Sequence, residues 1–298
     1  MQKNGIDVSK HQGYIDWQKV KNSGKVDYAI IRAGFGSSIS QKDSKFEANY
    51  ANAKKNGIPV GAYWYSYAKD TRAAKTEAEV FLKVIEGKTF EYPIYLDIEE
   101  ASQFRLGKSK VTEIVKVFCE TLEKAGYFVG IYSSKSGLSY IDPSVRDKYT
   151  VWVAHVNVQK TNYSGPHDQW QYSWKGSIPG IRGDVDLDYS YKDFESIIKS
   201  AGKNGFKRES GLSDNTSANT APSNPNPTTP AQPTTKKFQV KVICNALNVR
   251  SGPGLSYKAT QVVKQNEVYT IVEEKNGWGK LISGAGWINI GSSYVKRV

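Results

Sequence analysis

The sequence predicts an α/β protein: a (β/α) barrel over the first ~200 residues, followed by a small all-β barrel. Three observations carry this. Short apolar runs alternate with amphipathic helical patterns from Gly5 to Asp188, as in a parallel sheet with crossover helices. Residues 209–235, ESGLSDNTSANTAPSNPNPTTPAQPTT, hold five of the eleven prolines, no aromatic residue, and Leu212 as the one large apolar side chain. Such a segment cannot bury enough surface to fold and reads as a semi-extended spacer. Residues 236–298 show short apolar runs, Gly-rich turns and no helical period, the pattern of a compact β barrel. The expected domains are therefore 1–203, a spacer over 204–235, and 236–298.

Within the first domain the expected strands are 5–8, 27–32, 58–65, 94–98, 128–132, 150–154, 169–172 and 184–188. Helical patterns occupy 45–56, 71–85 and 112–125; in the second, Ala78, Phe81, Leu82 and Ile85 share a face. The later strands have short connections, so the second half of the barrel is expected to lack full helices. Trp17, and Cys119 among Ile114, Val115, Phe118 and Leu122, lie on apolar helical faces and read as packing.

In a parallel barrel the C-terminal strand ends meet at one rim, where active sites are built. Asp7 closes GIDVS, Arg32 lies in AIIRAG, Asp97 and Glu99 end IYLDIEE, and Tyr132 ends VGIY. His155 follows VWVA, QWQYS supplies Trp170 and Gln171, and GDVDLDYS supplies Asp184, Asp186 and Asp188. Asp97 and Glu99, two apart, share a strand face. Two close carboxylates repel, and one pKa is pushed up. That prepares a proton donor beside an ionised partner, the pairing glycoside hydrolysis needs. Tyr63, Tyr65, Tyr132, Trp152 and Trp170 are candidate sugar platforms, with core packing an equal reading for each alone. Arg32 is a candidate to tune the carboxylates or bind substrate. Asp184 and Asp188 share the face of Asp186 and read as rim or loop contacts. With three histidines and no HxxxH or HxH, no metal site and no cofactor is expected. RAGFGSS (32–38) lacks a P-loop pattern.

The net charge of +12 draws the chain to polyanions: nucleic acid, an anionic wall polymer or a membrane surface. Residues 1–200 hold 28 Lys and Arg against 24 Asp and Glu, whereas residues 201–298 hold 13 against 5. The near balance over the barrel argues against a nucleic-acid role; the tail is the basic part. Cys119 and Cys244 fall in different expected domains and no CxxC occurs, so neither a disulfide nor a zinc site is expected. MQKNGIDVSKHQG lacks the apolar region of a signal peptide, and no run reaches membrane-spanning length. The expectation is cytoplasmic synthesis, no membrane insertion, and release by another route if the protein acts outside.

Eight stretches, GIDVSKHQGYIDWQKVK, YAIIRAGFG, GIPVGAYWYSYA, YPIYLDIEE, GIYSS, VWVAHV, QWQYS and GDVDLD, together resemble the glycoside hydrolase family 25 lysozymes, the muramidases of phage endolysins and bacterial autolysins. They span nearly all of residues 3–198 in family order. The resemblance implies an irregular, TIM-like (β/α) barrel with a catalytic DxE. It matches Glu99 to the general acid, Asp97 to its partner, and Asp7 and Asp186 to two further cleft carboxylates. One departure is Trp64-Tyr65 where the family often has His-Phe, which implies an altered sugar subsite and unchanged chemistry. ALNVRSGPGLSYK (246–258) with GWGKLISGAGWI (277–288) resembles a bacterial SH3 (SH3b) domain, an SH3-like barrel that targets cell walls. Asn248 and Arg250 recur in that motif, with a turn-fixing role as their structural reading. Trp278, Trp287, Tyr257 and Tyr294 are its candidate binding aromatics.

The sequence is thus read as a peptidoglycan hydrolase of Gram-positive walls, with the glycan strand in the barrel and a wall polymer or peptide at the SH3b domain. A phage or prophage endolysin is the first setting and a bacterial autolysin the second. The rivals are a non-catalytic wall-binding protein, a glycosidase of different linkage, and a basic nucleic-acid-binding protein.

Overall fold

A computed structural model describes residues 2–207, 238–255, 257–275, 277–283 and 285–298. The chain divides into two compact units, Met1–Gly211 and Leu212–Val298. The first is a closed barrel of eight strands in chain order: β1 (Lys3–Val8), β2 (Tyr28–Phe35), β3 (Val60–Tyr65), β4 (Ile94–Asp97), β5 (Val129–Ser134), β6 (Thr150–Ala154), β7 (Gln169–Gly176) and β8 (Val185–Ser190). Strands β1 to β7 each run parallel to the next. β8 runs antiparallel to both β7 and β1. The expectation that all strand C-termini share one rim is therefore corrected for β8, whose start joins that rim. The cause is connection length. Residues 177–184 are too few for a parallel crossover, which needs about a dozen, but enough to return as a hairpin.

Helices α1 (Trp17–Asn22), α2 (Phe46–Lys55), α3 (Thr71–Ile85), α4 (Ala101–Phe104) and α5 (Lys108–Lys124) fill the first four connections. After β5 the described residues hold only the short α-helices α6 (Pro143–Arg146) and α7 (Phe194–Ala201), as the short later connections implied. Helix α3 starts where Asp70 accepts from the Ala73 amide, and its buried face of Ala74, Ala78, Phe81 and Ile85 packs on the barrel.

Strand alternation builds two cores. Outward residues such as Ile6, Ile31, Leu96 and Val153 pack against the helices. Inward residues Tyr28, Ile30, Tyr95, Tyr132 and Trp152 form a second, aromatic cluster. Two glycines make room for it: a Cβ on Gly5 would lie 2.1 Å from the Tyr28 ring, and one on Gly130 2.2 Å from the Tyr95 ring.

The barrel unit does not stop at Lys203. Asn204 is fully buried. Its side chain donates to the carbonyls of Phe90 and Tyr92 and accepts from the Phe128 amide, and Phe206 packs against the inner cluster. The expected spacer start at 204 is corrected accordingly, because a buried amide with three partners is part of a fold. The rest of the expected spacer, 208–235, lies outside the described residues.

In the second unit, β9 (Phe238–Val242), β10 (Ala246–Arg250), β11 (Ala259–Lys264), β12 (Val268–Lys275), β13 (Trp278–Leu281), β14 (Trp287–Asn289) and β15 (Val295–Arg297) form one sheet. Its order is β11-β10-β14-β13-β12-β9-β15, with antiparallel pairing throughout. Its separate core includes Val240, Val249, Ile271 and Ile288. The Arg250 guanidinium donates to the carbonyls of Leu255 and Tyr257, so it closes the turn. Trp278 and Trp287 are buried, whereas Tyr257 and Tyr294 are exposed. The two cysteines are unpaired.

Asn204→Ala is expected to destabilise the barrel by about 2–4 kcal/mol, since it strands three buried backbone groups. Asn204 also has φ of 55°, where alanine is strained. Urea unfolding checks this; a change below about 0.5 kcal/mol, the usual range of a surface substitution, would contradict the latch role.

Candidate active site

The cleft is assembled by strand direction. Asp7 on β1 stands opposite Asp186 on β8, and Asp188 is the next residue on the same face. Tyr65, Asp97, Tyr132 and Trp152 lie side by side in register across β3 to β6. The end of β4 is fixed through its backbone. Ser66 donates to the Asp97 carbonyl, the Ile98 amide donates to Tyr132, and Ser133 Oγ donates to the Ile98 carbonyl. Ile98 is fully buried in the outer core. Asp97 therefore faces inward and is 3% exposed, while Glu99 stands exposed just past the strand end.

Neutral donors hold the deeper carboxyls. Gln171 Nε2 donates to Asp7 Oδ2 at 2.7 Å. Gln171 Oε1 in turn accepts from the Tyr132 hydroxyl at 2.8 Å and from Trp174 Nε1 at 3.0 Å. Trp152 Nε1 donates to Asp188 Oδ1 at 2.8 Å, and Asp188 Oδ2 has no partner. Asp7 stands against Asp186 in register, and the charges of Asp186 and Asp188 both act on it.

Burial, then the charges of Asp186 and Asp188, push Asp7 well above the usual carboxylate range. Burial pushes Asp186 up to about 6, with the Asp7 hydrogen bond opposing. Burial raises Asp188 as well. At the β4 end, burial and then the Glu99 charge raise Asp97, while the Arg32 guanidinium pulls it down. Crowding by protein, then the charges of Glu100 and Asp186, raise Glu99, and the Tyr65 hydroxyl lowers it. Tyr65 also donates to Glu100 Oε1 at 2.7 Å. Among the described residues no group of three His, Cys, Asp or Glu is placed to hold a metal ion.

A pair of raised carboxyls at a barrel mouth can now be set beside known proteins. Residues 6–181 match the model of glycosyl hydrolases family 25. The chain belongs to glycosyl hydrolases family 25. Residues 245–296 match the bacterial SH3 domain. The autolytic lysozyme of Clostridium acetobutylicum is 32% identical over 187 residues, 62% of this chain and 54% of that protein. Lysozyme M1 of Streptomyces globisporus is 31% identical over 196 residues, 61% of this chain and 65% of that protein. This family 25 chain thus spans between about half and two thirds of the length of those two relatives. The structure of the bacterial lysozyme from Streptomyces coelicolor aligns with a TM-score of 0.55 at 30% identity, covering 62% of this chain and 90% of that one. The modular autolysin LytC from Streptococcus pneumoniae, solved also with a synthetic peptidoglycan ligand, aligns with a TM-score of 0.56 at 30% identity, covering 64% of this chain and 47% of that one.

Of the site residues expected in this family 25 barrel, Asp7, Asp97, Glu99 and Asp186 come together with Arg32, Tyr63, Tyr65 and Tyr132. Arg32 Nε is tied to Asp43 Oδ2 at 2.8 Å, and its Nη2 has no partner. Tyr63 and Tyr65 are half-buried at the mouth. Three expectations fail. Trp152 is 1% exposed, with its ring among Tyr63, Tyr95 and Tyr132, so it floors the cleft and offers no platform. Trp170 lies between the inward Gln169 and Gln171 and so points outward; it packs on Tyr172 and Tyr189 and donates to the His155 carbonyl. Asp188 is not a rim contact but is fully buried. Trp64 also faces outward, buried against Phe81, so its departure from the family leaves the cleft untouched; Tyr65, by contrast, contacts the acidic pair. The reading of the sequence missed the role of Gln171, the exposed Trp174, and Tyr67, which packs 5.1 Å from Tyr65. The density of tyrosines in YWYSY was the available signal for Tyr67.

An acid whose folded-state pKa is raised stabilises the fold when protonated; that contribution is complete below the unfolded carboxylate range and lost as pH rises through the raised value. Asp188 is such a group. Asp188→Asn keeps an acceptor for Trp152 and removes the buried charge. It is expected to raise the melting temperature at pH 7 by about a few °C and to match wild type near pH 3. Equal melting at both pH values would show that Asp188 carries no such penalty.

Proposed function

We propose that this chain is a peptidoglycan hydrolase, an N-acetylmuramidase that cuts the β-1,4 bond from N-acetylmuramic acid C1 to N-acetylglucosamine O4. The observation that carries the reading is the Asp97–Glu99 pair, one carboxyl buried at the strand end and the other open at the mouth. Burial raises both carboxyls, Asp97 well above the usual range with the Arg32 guanidinium opposing, and the charges of Glu100 and Asp186 raise Glu99 further. Glu99 is the exposed partner, so its proton is the one that can reach a glycosidic oxygen. Glu99 donates it to the leaving O4. Positive charge then develops at C1 above the inward-facing Asp97. In our reading Asp97 orients and charge-stabilises the substrate's 2-acetamido group, which attacks C1; direct attack by Asp97 is the alternative, requiring carboxyls about 5 Å apart. The inner carboxyls Asp7 and Asp186, with Arg32, Tyr63, Tyr65 and Tyr132, complete the cleft around the scissile sugar. Asp97 and Glu99 do this without a resident cofactor in the mechanism as proposed.

Residues 236–298 would hold the enzyme on the wall, and the Pro-rich sequence before them would tether the barrel at raised local concentration. Among the described residues no helix is long and apolar enough to cross a membrane. The setting this reading fits is an endolysin acting on a Gram-positive wall. A bacterial autolysin is the second reading, favoured by the autolytic lysozyme and the autolysin among the relatives.

Purified Gram-positive wall digested with wild type, then reduced with borohydride, is expected to yield muramicitol, and Glu99→Gln is expected to yield none. Glucosaminitol would move the cut to the other linkage, and near wild-type activity of Glu99→Gln would remove it from the mechanism. Because raised pKa keeps Glu99 protonated beyond the ordinary range, the alkaline limb of activity is expected above the free-glutamate value near 4.3. Residues 236–298 alone are expected to sediment with walls; recovery in the supernatant while the barrel sediments would refute the targeting role.

A further inference from the structure

Trp174 lies on β7 and is 56% exposed, yet its indole N–H reaches Gln171 Oε1. Residues three apart on a regular strand point to opposite faces, so this contact requires an irregularity. β7 supplies it. Its register against β8 slips between Gln171 and Ser173, and again between Ser173 and Gly176. Bulges re-aim side chains beside active sites. Here they turn Trp174 away from the outer face, where Trp170 and Tyr172 pack, and toward the side of Gln171.

The amide it touches is the one that holds Asp7. Gln171 Oε1 receives two donors, the Tyr132 hydroxyl and the Trp174 indole. With the oxygen so occupied, the amide nitrogen is directed to Asp7 Oδ2. Tyr132 is buried, so Trp174 is the donor open to solvent. A large aromatic ring, exposed and pinned by its own N–H, is a rigid surface prepared for an apolar face. In this cleft the fitting face is the C–H side of a pyranose ring.

We propose that Trp174 is both a sugar platform and a positioning residue. Its indole face stacks on a 2-acetamido-pyranose ring of the bound glycan, and its N–H holds Gln171 and, through it, Asp7. This rests on the glycoside-hydrolase reading of the cleft. It also links the two halves of the site: a sugar seated on Trp174 presses on the same hydrogen-bond chain that sets the protonation of the inner carboxyls. The Gln171 hydrogen bond favours ionised Asp7, so loosening Gln171 lets Asp7 hold its proton to higher pH.

The test uses the full chain with Glu99→Gln, so that binding is measured without turnover. A tetrasaccharide of alternating N-acetylglucosamine and N-acetylmuramic acid is titrated calorimetrically. Adding Trp174→Ala is expected to weaken binding about tenfold, and Trp174→Phe, which keeps a ring, about twofold or less. In the otherwise wild-type chain, with ionised Asp7 required in the cleft, Trp174→Phe is expected to change KM by no more than about twofold but to move the acid limb of the kcat/KM profile to higher pH, because the N–H is lost. Unchanged melting curves for both variants would exclude a fold effect, as the exposure of Trp174 implies. Binding by Trp174→Ala as tight as the parent, or no binding by the parent, overturns the platform. A Trp174→Phe pH profile superimposable on wild type overturns the positioning role. If wild type releases no reducing ends while the Trp174-dependent binding persists, the hydrolase reading fails and the platform stands.

Discussion

Asp7 and Asp186 face each other across an antiparallel strand pair, and the chemistry of the cleft depends on that register. Had β8 run parallel to its neighbours, Asp186 would sit near the opposite end of the barrel. Its reversal brings Asp186 against Asp7 and carries Asp188 one step deeper. These groups are held by Gln171 and Trp152, both neutral donors. Neutral donors satisfy oxygens without cancelling charge, so the carboxyls relieve their repulsion by retaining protons. The barrel thus keeps acid protons at a pH where free carboxylates have lost theirs.

This arrangement opposes stability, since each raised carboxyl is a group the fold would sooner keep neutral. What offsets it is the aromatic interior. Tyr28 stacks on Tyr92 with centroids 4.1 Å apart, and Tyr63, Tyr95 and Tyr132 surround Trp152. The rings exclude water beneath the carboxyls, which is what raises their pKa. The same rings supply polar edges, Tyr132 OH and Trp152 Nε1, that fix Gln171 and Asp188. One set of side chains therefore creates the electrostatic cost and limits it.

Much of this was legible in the sequence, and the exceptions have physical causes. The Asp97–Glu99 pair could be read because a buried apolar run seldom ends in carboxylates unless a cleft needs them there, and period-two alternation then assigns faces. The direction of β8 was not read, because hydrophobic alternation is the same for a strand run either way; only the length of 177–184 carried that information. Trp152 and Trp170 were expected as platforms because aromatic type says nothing of depth. Trp152 belongs to the inner face but lies too deep, and Trp170 belongs to the outer face. Trp174 was invisible for the converse reason. Alternation assigns it to the face of Trp170, and only the register slips reverse that. Asn204 was lost to the spacer because a lone Asn in a Gly- and Lys-rich stretch looks like turn sequence until its three partners are seen.

The division of labour between Asp97 and Glu99 follows from where β4 ends. Asp97 is the last residue paired in the barrel, so its carboxyl is held inward, next to Arg32 and out of water. Glu99 lies beyond the pairing, where only the buried Ile98 and its two backbone hydrogen bonds anchor it. It is therefore exposed, as the proposed acid must be, while crowding by protein and the charges of Glu100 and Asp186 raise its pKa. Tyr65 joins the two environments: it stands beside Asp97 in register and donates to Glu100. The Tyr65 hydroxyl also lowers Glu99 directly, against the raising charges of Glu100 and Asp186. In the proposed mechanism, with Glu99 as the acid, a proton held too tightly is transferred as poorly as one already lost, and the Tyr65 hydroxyl is the group that opposes that excess.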